Sequence, residues 1–116
     1  MKTYQSTHNP NRVVLNSKTR LSVPVNLIVL LKGQANYTTF ILTDGSKRVV
    51  AHTLKYFEAF LQTHGFQRVD RSSLVNPHFI QSYHQSSALV MMKNGMVVKV
   101  SRRRRGILSL QGGVVD

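Results

Sequence analysis

Four consecutive arginines, residues 102–105, follow Lys99 and a strand-like apolar run, and no acidic residue stands near them. Like charges packed this closely repel one another, so the folded chain gains little free energy from them. Ser101 is a favourable helix N-cap, so we expect the arginines to form the first turn of a C-terminal helix. Free backbone N–H groups and guanidinium groups would then converge on phosphate, with one or two arginines reaching a base edge. The alternative is a solvated basic segment without a ligand.

The overall charge favours an anionic partner. Sixteen Lys and Arg against four Asp and Glu give a formal charge of +12. This balance points to nucleic acid or to an anionic membrane surface. The length of 116 residues is that of a single domain. The most apolar segment, residues 21–31, contains Pro24 and is too short to span a bilayer, so the sequence predicts neither an anchor nor a signal peptide.

Several enzyme and metal classes are disfavoured by what the sequence lacks. Its four acidic residues are not spaced for paired acid and base roles. The absence of cysteine removes thiol chemistry and Cys-based zinc sites, and it fits a cytoplasmic protein. The five histidines lie in separate segments without ligand spacing, so we expect no metal and no cofactor. We therefore expect a protein that is not an enzyme.

The patterning predicts a mainly β domain at 13–116 after a flexible lead-in at 1–12. We expect eight to ten short strands, including a doubly buried one at 27–31, with a turn-rich segment at 70–77. Asp44-Gly45 and Asn94-Gly95 predict tight hairpin turns with positive φ at both central positions. Thr53 is a candidate cap for a helix that presents Leu54, Phe57 and Leu61 on one face and stops at Gly65.

Four segments carry a resemblance to a known family. They are an apolar strand entering Gly33-Gln34-Ala35-Asn36-Tyr37-Thr38-Thr39, the helix predicted at 53–61, the string Gly65-Phe66-Gln67-Arg68-Val69-Asp70-Arg71-Ser72-Ser73-Leu74-Val75-Asn76, and Lys93-Asn94-Gly95 through Val100-Ser101-Arg102-Arg103-Arg104. Together, over residues 23–110, they resemble the LytTR DNA-binding domain of bacterial transcription regulators. The resemblance implies an elongated stack of antiparallel sheets with one or two short helices. It also implies that loops and strand ends enter successive major grooves of DNA.

The resemblance implies contacts in three segments. In the first, Gln34 and Asn36 would face DNA, with Asn36 suited to an adenine edge or to phosphate. In the second, Arg71 suits guanine, Ser72 suits phosphate, and Arg68 close by is expected to bind DNA as well. In the third segment, Arg103 matches the family's main base-contacting arginine. Ser101, Arg102 and Arg104 would hold phosphate around it, and Lys99 is expected to bind DNA beside them.

Each contact has a structural alternative, and the chain departs from the family. For Asn36, an ordinary turn residue before a strand is an equally good interpretation. Arg71 could instead form a surface salt bridge with Asp70, which stands where many members have histidine. An acid at this position costs DNA affinity unless it orients Arg71 or accepts from a cytosine amino group.

The sequence thus predicts a sequence-specific double-stranded DNA-binding regulator of bacterial transcription, related to two-component systems. The family implies binding to paired direct repeats and a homodimer on the DNA. We expect no association with a membrane. One alternative is an RNA-binding or ribosome-associated basic β-domain, which the charge supports equally well. Another is a protein-interaction or membrane-surface module that docks through the basic patch.

Overall fold

The computed structural model describes residues 2–6, 9–107 and 113–115, and over these the chain is mainly β. The described part measures 46 × 29 × 22 Å, so the domain is elongated. It contains eleven strands and one α-helix. The strands are β1 Arg12–Asn16, β2 Leu21–Pro24, β3 Ile28–Gln34, β4 Tyr37–Leu42, β5 Lys47–Val50, β6 Gln67–Asp70, β7 Ser73–Val75, β8 Ile80–His84, β9 Leu89–Met92, β10 Val97–Lys99 and β11 Gly113–Val115. Helix α1 is Leu54–Gln62, and short 3-10 segments lie at Val25–Leu27, Pro77–Phe79 and Arg102–Ile107.

The strands form three sheets. A two-stranded hairpin joins β1 and β2, a five-stranded sheet has the order β5-β4-β3-β7-β6, and a four-stranded sheet has the order β10-β9-β8-β11. Neighbouring strands are antiparallel except β8 and β11, which are parallel. The predicted class, a mainly β stack of antiparallel sheets with a helix, is confirmed.

The middle of the five-stranded sheet is buried on both faces. Leu31, Phe40 and Leu74 pack in one core with α1 and the β1–β2 hairpin. Leu30, Ile41 and Val75 pack in a second core with the four-stranded sheet. Because successive side chains of a strand point to opposite faces, a strand covered on both sides must be apolar throughout. This explains the continuous run in β3, where residues 28–31 are all buried.

Helix α1 forms as its sequence predicts. The Thr53 hydroxyl accepts a hydrogen bond from the backbone N–H of Tyr56, and Leu54, Phe57 and Leu61 are buried. Gly65 ends the segment with a φ of +87°, a conformation that glycine adopts without steric cost. The apolar face of the helix therefore covers the first core, as expected for an amphipathic helix.

The two glycine hairpins form where the sequence predicts them, but the predicted turn type is wrong. Gly45 and Gly95 have positive φ, whereas Asp44 and Asn94 do not. Gly45 N donates to the Leu42 carbonyl, and Leu42 N donates to the Ser46 carbonyl, so the loop has three residues. Such a loop is a regular turn followed by one residue in the left-handed region. The Asp44 backbone therefore avoids the left-handed conformation, and its side chain accepts a hydrogen bond from Ser46 N.

Two other segments contain structure that local sequence patterns did not indicate. The predicted lead-in at 1–12 includes the first residue of β1, and its Tyr4 is buried against Tyr56, Phe57 and Phe60. The Tyr4 backbone N–H also donates to the Tyr56 carbonyl, which ties this segment to α1. The turn-rich segment at 70–77 contains strand β7, which pairs with both β3 and β6.

Candidate nucleic-acid interface

The three segments implicated by the sequence meet at one end of the five-stranded sheet. Gln34 pairs with Tyr37 across the β3–β4 turn, and Lys32 pairs with Ser73 on β7. Gly33 N donates to the Ser72 carbonyl over 2.8 Å, so the β3–β4 and β6–β7 turns are neighbours. We call this the upper end of the sheet. The opposite, lower end carries the β4–β5 turn at 43–45. The β9–β10 turn at 93–95 belongs to the four-stranded sheet and lies on the same lower side, since Lys93 N donates to the carbonyl of Phe79, just beyond the lower end of β7.

The arginine run lies next to β6, one of the two edge strands of the sheet, close to the upper end. Ser101 N donates to the Val69 carbonyl over 2.8 Å, close to the end of β6. An open groove lies along this junction, and its lining includes Asp70, Lys99, Ser101 and Arg102. Residues far apart in sequence therefore share one surface, and Lys99 stands exposed beside the arginines.

The arginines form a 3-10 helix, Arg102–Ile107, and not the first turn of an α-helix. The Arg104 N–H donates to the Ser101 carbonyl, which closes the first turn. Arg102 and Arg103 are exposed, whereas Arg104 is half-buried. In a 3-10 helix, side chains three residues apart lie on the same side, so neighbouring arginines point in different directions. Arg102 and Arg103 thus have the freedom to contact a ligand.

Asn36 and Gln34 lie at the tip of the β3–β4 hairpin and are both exposed. Ala35 between them has a φ of +53°, a left-handed conformation that a non-glycine residue rarely adopts. The two-residue turn brings the chain back sharply, because Gln34 and Tyr37 are paired neighbours. Asn36 is therefore held at the outermost point of a hairpin that the sheet fixes in place.

The β6–β7 turn presents Arg71 and is stabilised by Asp70. The Asp70 carboxylate accepts hydrogen bonds from the backbone N–H of Ser72 at 2.7 Å and from its hydroxyl at 3.3 Å. Arg71 is exposed, and the salt bridge to Asp70 that the sequence allowed does not form. The acid thus holds the turn while the neighbouring guanidinium remains available.

Arg68 is held within the protein. Its Nη1 donates to Glu58 Oε1 at 2.7 Å, and its Nε donates to the Asp70 carbonyl at 2.8 Å. Its Nη2 donates to the Arg71 carbonyl. The Arg68 and Glu58 side chains retain 14% and 20% of their exposure. The guanidinium therefore connects α1 to the turn that carries Arg71, which makes it a support of the surface.

The acidic side chains leave the upper end positively charged. Glu58 is paired with Arg68, Asp70 accepts from Ser72, and Asp44 lies at the lower end of the sheet. The Ser46 hydrogen bonds lower the pKa of Asp44. Within the described ranges, Arg68–Glu58 is the one ion pair, so the exposed cations of the upper end have no acidic partner there.

A family model describes this chain. The model of the LytTr DNA-binding domain matches residues 18–110. The chain belongs to the LytTR family of DNA-binding domains. Its structure is also similar to the LytTr DNA-binding domain of a protein from Bacillus cereus described as a methyl-accepting/DNA response regulator. The TM-score is 0.71 at 25% identity, over 84% of this chain and 92% of the other. No curated protein matches the sequence.

Two further observations concern the described residues. In the part of the chain that the structure describes, no cluster of three or more histidine or acidic side chains is arranged to hold a metal ion. None of the helices described there has the length and apolarity needed to cross a membrane.

Sequence reasoning missed two features of this LytTR surface. The first is the Glu58–Arg68 pair, which joins residues ten positions apart on different elements. The second is an exposed apolar patch beside Asn36, formed around Tyr37 and Val49, which are 54% and 66% exposed. Side chains alternate along β4, so Tyr37 and Thr39 share a face, but this alternation does not indicate whether the face is covered.

Proposed function

We propose that this LytTR domain binds double-stranded DNA sequence-specifically as part of a bacterial transcription regulator in the cytoplasm. The observation that carries the proposal is the convergence of the β3–β4 turn, the β6–β7 turn and the arginine run at one end of the sheet. A surface built from separate turns suits the grooves of a duplex, because each turn can enter a different stretch of groove.

The proposal assigns base reading to the exposed tips. Arg103 and Arg71 each donate to O6 and N7 of a guanine, and Asn36 binds an adenine edge. These three side chains are exposed and lie in the three converging segments.

Phosphate binding is assigned to the residues around these tips. Each of them can donate hydrogen bonds to phosphate oxygens, and together they fix the register of the protein on the duplex. They are Gln34, Ser72, Lys99, Ser101, Arg102 and Arg104. Arg68 is not among the direct contacts in this proposal, because its guanidinium is occupied by Glu58 and two carbonyl groups.

The binding is expected to depend strongly on salt. A protein that contacts half a dozen phosphates releases about as many counterions, so its affinity falls on the order of a thousandfold between about 50 and 200 mM salt. Two copies on paired direct repeats would extend this contact along the DNA. The repeats and the homodimer are parts of the proposal that follow from the family.

The experiment is a selection from random duplexes with the full chain, followed by sequencing of the enriched molecules. The proposal predicts one enriched motif, bound at least tenfold more tightly than a composition-matched duplex. Structured RNA is included as a competitor in the same gel-shift series. Binding that shows no enrichment, or that structured RNA displaces more effectively than the motif, contradicts the proposal and favours an RNA-binding β-domain.

A further inference from the structure

A patch of apolar side chains lies exposed on the five-stranded sheet beside the Asn36 turn. Thr39 on β4 pairs with Val49 on β5, so both side chains are on one face, and Tyr37 shares that face two residues earlier. These three residues line a shallow depression together with Gln34 and Ala35. We call these five residues the Tyr37–Val49 patch.

The patch is uncovered because the second core stops short of it. Ile41 is on the same face of β4 and is buried against the four-stranded sheet, with 5% exposure. Four residues nearer the upper end, Tyr37 is 54% exposed, and Val49 on the neighbouring strand is 66% exposed. Adjacent exposed aromatic and β-branched side chains next to a polar rim are typical of an interaction surface.

The charges around the patch identify its occupant as a polyanion. Lys47 lies on the same face of β5 as Val49, and Arg48 is exposed on the opposite face of this edge strand. A second copy that paired along this edge with two-fold symmetry would bring these cations against their own counterparts, which opposes self-association. Nucleic acid meets no such repulsion, and the patch is continuous with the turn that carries Asn36.

We propose that the Tyr37–Val49 patch contacts the C5-methyl groups of thymines in the major groove, next to the base edge bound by Asn36. This inference rests on the proposed DNA-binding function. The thymine methyl group is the apolar feature of the major groove, and it is recognised by side chains such as alanine, the threonine methyl group and aromatic rings. An adenine bound by Asn36 is paired with a thymine whose methyl group lies in the same groove.

The test replaces thymine by deoxyuridine, which removes only this methyl group. The probes are the duplex enriched from random sequence and the same duplex with every dT replaced by dU. We expect the wild-type chain to lose about three- to fourfold in affinity for each contacted methyl group. The variant Tyr37→Ser with Val49→Ser removes the two most exposed apolar side chains of the patch without supplying a methyl group, and it should discriminate between the two probes clearly less than the wild-type chain.

A matched control separates the patch from a general loss of apolar surface. Leu27 is 43% exposed, and its carbonyl accepts from Thr43 N at the lower end of the sheet. Leu27→Ser should leave the dT-to-dU ratio of the wild type unchanged. Val49→Ser alone should reduce this ratio partly, and circular dichroism spectra verify that each variant is folded.

Several results would overturn the inference. They are equal wild-type affinity for the two probes, an enriched motif without thymine, and a ratio that the patch variants leave unchanged. A wild-type chain that is dimeric without DNA and becomes monomeric in the patch variants would assign the patch to a second copy. Failure of the selection itself would count against the proposed function, and it is recognised because no motif is enriched.

Discussion

The pair of Arg68 and Glu58 allows a sharp test of how the β6–β7 turn is positioned. We predict that Arg68→Ala lowers the free energy of unfolding by about 3 kcal/mol, because it leaves a largely buried carboxylate unpaired. Glu58→Gln keeps the shape of the side chain and removes its negative charge, so the hydrogen bond that spans 2.7 Å in the wild type would join the charged guanidinium to a neutral amide oxygen. A hydrogen bond to a charged group contributes about 1.5–3 kcal/mol, so we expect a loss near the lower value. With side-chain exposures of 14% and 20%, solvent screens the pair little.

The assay is urea unfolding of both single variants and of the double variant. A double-mutant cycle should give a coupling free energy of about 1–2 kcal/mol, within the range found for residues in contact. DNA binding provides a second readout. The proposal makes Arg68 a support and not a contact, so Arg68→Ala should leave the salt dependence of affinity unchanged, whereas Arg71→Ala as the control should change affinity directly.

One pattern of results would refute this reasoning. If Arg68→Ala unfolded at the wild-type urea concentration and reduced the slope of log affinity against log salt by about one phosphate contact, Arg68 would face the DNA. The direct contact implied by the sequence resemblance would then be correct, and the ion pair with Glu58 would be incidental.

Two further predictions concern stability. Asn76 is 2% exposed, and its Nδ2 donates to the Ile28 carbonyl at 2.9 Å. Asn76→Ala should therefore lower the free energy of unfolding in urea by about 1–3 kcal/mol, because a buried acceptor loses its partner. An unchanged unfolding midpoint would contradict this. The Ser46 hydrogen bonds lower the pKa of Asp44 in the folded chain, so its stabilisation is present above the ordinary pKa of about 3.9 and is lost as the pH falls below it. The difference in Tm between wild type and Asp44→Asn should therefore shrink between pH 5 and pH 2.5, and a constant difference would show that Asp44 is not coupled to folding.

The sequence predicted those parts of the fold that local patterns determine. The apolar run of β3 indicated a strand buried on both faces, and the cap at Thr53 with the spacing of α1 indicated the helix. Strand β7 was missed because its three residues lie within a segment rich in turn formers. Its strand conformation depends on pairing with β3 and β6, which local sequence does not encode.

The site could be predicted only as far as residue type and family likeness allow. Arg68 and Arg71 look equivalent in sequence, yet Glu58 on α1 holds the first while the second is exposed. Tyr37 and Ile41 share a face of β4, and only the extent of the four-stranded sheet decides which of them is covered. Both distinctions depend on contacts between distant segments, so they required the structure.

The most direct test of the central claim compares Arg103→Ala with Lys93→Ala, which removes the same charge from the hairpin turn at the lower end of the sheet. Affinity is measured for the enriched duplex and for a composition-matched random duplex at one salt concentration. Arg103→Ala should lose about 1–3 kcal/mol on the enriched duplex and much less on random DNA. Lys93→Ala should affect both duplexes slightly and equally. Equal losses for Arg103→Ala on the two duplexes, or equal effects of the two variants, would contradict the assignment of base reading to the upper end.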